Sequence, residues 1–251
     1  SSDLVNIDDA TIAEFGQWPW PRQLTAKLIN KIGAKKPAAI GLDILITEKD
    51  RFALDNLAKT LSLPKNSLSS LGVQDGDIIL GKSVKENPVT TAFVLTDQEI
   101  KSNQKIKSHV VTVGEAQSKL PYVNSIVSPI EALNQAPGSG FVNSYKSEGL
   151  IRETPLIASL YFDAFRDTVV PSLSIEMLRI AIGASNHIAK VSDISGAFQV
   201  KTGNALTELS DQGTLIYHHG HLKRFQTIPA KNILNNSTRS EEHTSELQSR
   251  E

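Results

Sequence analysis

The sequence predicts a single α/β domain: a mainly parallel central sheet flanked by helices, with a β-hairpin added. Three observations carry this. Residues 4–46 read as strand, amphipathic helix and strand, the order of a right-handed crossover unit. Residues 38–46 form a nearly continuous apolar run of strand length, the pattern of a strand covered on both faces. Further short apolar runs alternate with helical segments, with no internal repeat and no inter-domain linker.

The elements follow in order. Leu4-Val5-Asn6-Ile7-Asp8 alternates apolar and polar residues and reads as a strand. A short helix over residues 10–15 has Asp9 as N-cap and Gly16 as its stop. Pro19 and Pro21 make residues 17–22 a rigid loop, because each ring fixes φ and forces extended geometry on the residue before it. Residues 23–35 place Leu24, Leu28, Ile29 and Ile32 on one helical face. The strand over 38–46 is then expected to lie parallel to the first. Residues 50–63 read as a helix on Phe52, Leu54, Leu57 and Leu61, and 62–76 as a loop-rich insertion. Strands are expected at 77–82, 90–95 and 109–113, with a polar surface segment at 96–107 and helical turns at 129–134. Segments 141–145 and 150–155 flank Lys146-Ser147-Glu148-Gly149 as a hairpin. Residues 171–182 form a helix with Pro171 at its first position and Gly183 as its stop, and 190–217 hold two or three more strands.

Composition narrows the function. No stretch approaches the ~18 consecutive apolar residues of a membrane span. The formal net charge of -1 offers no global field for nucleic acid, so no nucleic-acid partner is expected. The chain has 0 Cys, which removes disulfides, thiolate metal sites and a cysteine nucleophile. Residues 239–251 lack apolar periodicity and resemble a sequencing adapter translated in frame. They are set apart from a domain over residues 1–238, which is expected to be incomplete at its C-terminal end.

Chemical motifs are few. Gly138-Ser139-Gly140 lacks the spacing of a nucleophile elbow and reads as a turn before a strand. Neither a dinucleotide fingerprint nor a P-loop is present, and no cofactor is expected. In His218-His219-Gly220-His221 adjacent side chains point apart. His219 and His221 supply two ligands at most, short of the usual three of a catalytic zinc, and no metal site is assigned.

One constellation stands out. Two parallel strands joined by a crossover end at the same sheet edge, where ligands of open α/β sheets bind. That edge would gather Asp8, Asp43 and the loop with Trp18, Trp20 and Arg22. Arg22 precedes a helix N-terminus, where the dipole disfavours a cation, so a carboxylate partner is required; Asp8 or Asp43 is expected to supply it. The cluster either pins the loop as a structural ion pair or faces a ligand. The tryptophans read as packing residues before stacking platforms. In the hairpin, Tyr145 is expected opposite Leu150 and Asn143 opposite Arg152, which places that polar pair on one sheet face.

Taken together, Ile7-Asp8-Asp9, Gly16-Gln17-Trp18-Pro19-Trp20-Pro21-Arg22 and Ile40-Gly41-Leu42-Asp43-Ile44-Leu45 resemble the opening of the second class of CHASE domains, the cyclase/histidine-kinase-associated sensory extracellular modules. Gly140-Phe141-Val142-Asn143, Glu148-Gly149-Leu150-Ile151-Arg152, Val170-Pro171-Ser172-Leu173 and residues 227–234 are similar to its later blocks, in order. Where the family often carries Asp-x-Asp-Gly at the hairpin, Lys146 replaces the first acid. The resemblance implies a non-enzymatic sensor on the periplasmic or extracellular side of the bacterial inner membrane, anchored in the full-length protein. It implies an unknown small-molecule or periplasmic signal, passed through membrane helices of the same polypeptide to a cytoplasmic nucleotide cyclase or kinase, with a homodimer as the working form. The competing reading is a soluble α/β hydrolase using Asp8 and Asp43 as its carboxylates.

Overall fold

The computed structural model describes residues 3–64, 67–98, 107–120, 122–147, 150–160, 168–192, 196–210, 213–216 and 225–236. In chain order the first half holds β1 (Asp3–Asn6), α1 (Asp9–Phe15), α2 (Arg22–Gly33), β2 (Ile40–Leu42), α3 (Leu54–Thr60), α4 (Ser67–Ser70), α5 (Gly76–Glu86), β3 (Val89–Thr96), β4 (Val110–Val113), β5 (Tyr122–Val123) and β6 (Ser125–Val127). The second half holds β7 (Gly138–Phe141), β8 (Tyr145–Ser147), β9 (Leu150–Pro155), β10 (Ile157–Leu160), β11 (Thr168–Pro171), α6 (Leu173–Ala181), β12 (His187–Val191), β13 (Phe198–Thr202), β14 (Ala205–Leu209), β15 (Thr214–Ile216), β16 (Gln226–Pro229) and α7 (Ala230–Leu234). Short 3₁₀ turns occupy Gly114–Lys119 and Glu131–Gln135.

The α/β class holds, with the strands divided among several small sheets. The central one sets β2, β3 and β7 side by side in parallel, while β6 joins the far half of β3 antiparallel. Helices α2 and α5 and the Glu131–Gln135 turn cover one part of it, burying Ile29, Leu80, Val84, Val89 and Leu133. A second sheet, β14-β13-β12-β4, packs Ala189, Phe198 and Val200 against Ile175 of α6. Phe93 and Phe141 meet edge to face at 6.3 Å in the centre of the domain.

The expected crossover pair does not form. β1 pairs in parallel with β16, and β2 pairs with β3. The apolar run at 38–46 yields only the three residues of β2, after which Ile46 stays buried outside any strand. Residues 77–82 belong to α5, not to a strand. Asp75 caps its N-terminus through Asp77 N–H, and Leu80 and Val84 recur at helical spacing toward the core. Pro171 closes β11, and the helix after it starts at Leu173 with Ser172 as N-cap. Asp8, not Asp9, caps α1. In the hairpin Tyr145 faces Glu153 and Ser147 faces Leu150, with a register irregularity between them, so the expected Tyr145–Leu150 pairing is wrong.

Gly138-Ser139-Gly140 is strand rather than turn, because α6 crosses directly over it. A Cβ on Gly140 would lie 2.5 Å from Leu173 N and Ser172 C, both backbone atoms. Backbone does not yield as a side chain does. Gly140→Ala is therefore expected to cost the upper part of the roughly 1–3 kcal/mol of an overpacked core, read as a lowered urea midpoint at unchanged m-value.

Candidate functional site

Arg22 is the first residue of α2, and Pro21 before it offers no side-chain cap. Asp50 does that work from a distant loop: its Oδ2 accepts the Arg22 N–H at 3.1 Å. The Arg22 guanidinium donates from Nε to Asp77 Oδ1 at 3.3 Å and from Nη2 to the Glu48 carbonyl at 2.9 Å. The other Asp77 oxygen accepts Asp50 N–H at 3.2 Å. Two acids thus converge where α2 and α5 begin, and they offset the unfavourable placement of a cation at a helix N-terminus. Arg51 clamps the proline loop from outside, donating to the Pro19 carbonyl at 2.9 Å.

The predicted need for a carboxylate beside Arg22 is met, but the partner is Asp77, not Asp8 or Asp43. Asp8 is turned to its own helix, accepting from Thr11 N–H at 2.9 Å and from Thr11 Oγ1 at 2.5 Å. Those bonds from Thr11 hold its carboxyl below the usual aspartate range. Asp43 is exposed beyond the end of β2. The physical reason for the correction is topological: with β1 and β2 in different sheets, their C-terminal ends do not share an edge. Since the Asp8 carboxylate is favoured by folding, its contribution is present at neutral pH and is lost as pH falls below the ordinary carboxylate range. Asp8→Ala is expected to lower the melting temperature at pH 7, a difference that closes in acid.

Trp20 is 1% exposed. Its indole donates to the Gly16 carbonyl at 2.8 Å, and it meets Trp18 and Phe15 edge to face at 5.7 and 6.2 Å. It packs with Leu28, Ala230 and Leu234, so the loop tryptophans fasten the β1–β16 end of the domain to α2 and α7. Asn143 does not pair across the hairpin. Its amide bridges the backbone of Leu95, accepting from N–H at 2.7 Å and donating to the carbonyl at 2.9 Å, so it continues the β3–β7 ladder by one side chain. The Arg152 side chain and residues 218–221 lie outside the described residues.

A second polar centre escaped sequence reasoning. Glu176 of α6 is 0% exposed, and nitrogens of three residues converge on its carboxylate. Arg179 donates from Nη2 to Oε1 at 2.7 Å and from Nε to Oε2 at 3.0 Å. His187 Nε2 lies 3.0 Å from Oε2, and its Nδ1 lies 2.7 Å from Thr202 Oγ1. His109 Nδ1 lies 2.9 Å from Oε1, a contact that is an ion pair only when the ring is protonated and whose geometry is not aligned for a hydrogen bond. Gly138 admits the carboxylate, since a Cβ there would meet Oε1 at 2.6 Å. Burial pushes the Glu176 carboxyl up, but contacts from His109 and His187 together with the Arg179 guanidinium override it and hold the group far below the usual range. The order Thr202–His187–Glu176 imitates a nucleophile relay. All three are at most 1% exposed, so no substrate reaches the hydroxyl.

A CHASE2 domain model matches residues 3–250. The chain belongs to the CHASE2 domain family. CHASE2 domains are extracellular sensory modules of cyclase- and kinase-associated receptors, and this domain is sensory rather than catalytic. Comparison with curated proteins and with solved structures returns no match. No helix among the described residues is long and apolar enough to cross a membrane.

Proposed function

We propose that this CHASE2 domain is the ligand- or stress-sensing part of a bacterial membrane receptor, displayed on the outer side of the inner membrane. It passes its signal through membrane helices of the same polypeptide to a cytoplasmic nucleotide cyclase or kinase. The family match over residues 3–250 carries this reading. The architecture is in keeping with it. β1 and β16 pair in parallel, and Lys31 of α2 donates to the Leu234 carbonyl at 2.7 Å, so the first and last described elements share one layer. A displacement of that layer reaches both chain directions at once. The proposed working form is a homodimer, on the ground that cyclase and kinase outputs act in pairs; crosslinking in membranes that yields only monomer would remove that part.

This chain has 0 Cys, so a cysteine introduced into it can be scored against the unsubstituted receptor. Lys59 is exposed on α3. In the full-length receptor, Lys59→Cys is expected to react with a maleimide that does not cross the inner membrane, in intact cells. Protection until the inner membrane is opened would overturn the proposed orientation.

A further inference from the structure

Glu176 ties together segments that have no other polar link of this kind among the described residues. Arg179, besides holding the carboxylate, donates to the Pro137 carbonyl just before β7 and to the Ala184 carbonyl after α6, each at 3.1 Å. His187 and Thr202 belong to β12 and β13, and His109 immediately precedes β4. The cluster therefore locks α6 between the central sheet and the β14-β13-β12-β4 sheet.

The charges are unevenly matched. Arg179 alone neutralises Glu176, so with both imidazoles neutral the site carries no net charge. A proton on either histidine has, among the described residues, no second carboxylate to meet. Among the described residues, the charged and titratable groups facing the site from the packed elements are Arg179 and Glu176 of α6, His187 of β12 and His109 before β4. β13 contributes only the Thr202 hydroxyl and β7 only backbone. Lys190 and Lys201 lie on the opposite, exposed face of their strands. The His109 side chain is 26% exposed and gives protons a way in, whereas His187 is sealed. Histidine is the side chain that ordinarily changes charge between about pH 5 and 8.

We infer that this cluster is a proton-binding switch: uptake of protons by His109 and His187 overloads the single Glu176 carboxylate with positive charge and loosens α6 from the β4–β12–β13 sheet. Uncompensated charge in a dry site is costly, and admitting water between the helix and the sheet relieves it. The inference rests on the sensory reading and names the proton as a signal for it, one that an extracytoplasmic domain meets directly from its surroundings.

The test needs only the purified chain, so its outcome is separate from the orientation of the receptor. Hydrogen-exchange protection, corrected for the intrinsic pH dependence, is expected to fall about tenfold or more in α6 and β12 between about pH 7.5 and 5, with α2 and α5 unaffected. His109→Gln is expected to remove most of that fall. In the wild type, the ring signals of His109 and His187 in NMR are expected to change as protection is lost. Protection that stays constant, that drops equally in every layer, or that drops in His109→Gln as in wild type would overturn the switch. So would two imidazoles that keep a constant charge across that range, a measurement that decides the matter even where a variant fails to fold.

Discussion

Glu176→Ala is expected to be among the most damaging substitutions in this domain, costing about 3–5 kcal/mol, the range found when a buried ion pair loses one partner. The loss is not one contact. Arg179 keeps its charge beside His187 with no carboxylate to share, and the space next to Gly138 empties. Glu176→Gln is the informative companion: it preserves shape and hydrogen-bonding capacity while removing the charge, so the difference between the two variants isolates electrostatics from packing. The pH dependence has a defined sign. Folding depresses the Glu176 carboxyl, so its stabilisation is complete at neutral pH and is lost only as pH falls below the ordinary glutamate range, about pH 4. Denaturant unfolding at pH 7 and at pH 3 measures both statements, with the gap between wild type and Glu176→Gln expected to narrow in acid.

Arg22→Ala is expected to cost a comparable amount, toward the lower end of about 3–5 kcal/mol because the Arg22 and Asp77 side chains retain 10% and 15% exposure. Removal leaves Asp77 without its cation, and the Glu48 carbonyl loses its donor, while Asp50 keeps its bond from the backbone N–H at position 22. Arg22→Lys is expected to recover only part of the loss. One ammonium cannot reproduce the planar fork that serves Asp77 and Glu48 in different directions. A rescue to wild-type stability by Lys would show that charge alone matters at this site. Urea midpoints of the three proteins, with m-values held in common, decide it.

The Arg22 site also shows how far a sequence reaches. The Trp-Pro loop, the start of α2 and the requirement for an acid beside Arg22 were all legible, because each follows from local rules: fixed proline φ, apolar spacing and the helix dipole. The choice of acid was not. Asp77 lies 55 residues away, in a segment whose Ile78-Ile79-Leu80 run suggested a strand. A three-residue apolar run fits either period. The Asp75 cap and the Leu80–Val84 spacing favour the helix, and packing against α2 and the 3₁₀ turn at Glu131–Gln135 fixes it.

Register and pairing were the larger loss. β1 runs beside β16, with Asp3 opposite Gln226, and nothing local in either strand names the other. Strand partners are chosen by burial summed over the whole chain, so the inference that consecutive strands share an edge moved Asp8 and Asp43 into a site they do not form. Asn143, expected opposite Arg152 in the hairpin, finds its partner only where β3 and β7 lie side by side and its amide completes their ladder. Glu176 within Ser174-Ile175-Glu176-Met177 likewise looks like the polar side of an amphipathic helix.

What the sequence determined by itself is the α/β class, the α1–α2 entry with its aromatic proline loop, and the membership in a sensory family carried by that loop and the blocks after it. The tertiary structure alone decided that the two ends pair through β1 and β16, that Arg22 belongs to Asp77 and Asp50, and that His109, Glu176, Arg179 and His187 meet. The reason is range. Dihedral preferences, caps and periodicity act over a few residues and are written in the local sequence. A carboxylate and an imidazole from distant elements become neighbours only when the folded layers, held by apolar burial, bring them within 3.0 Å.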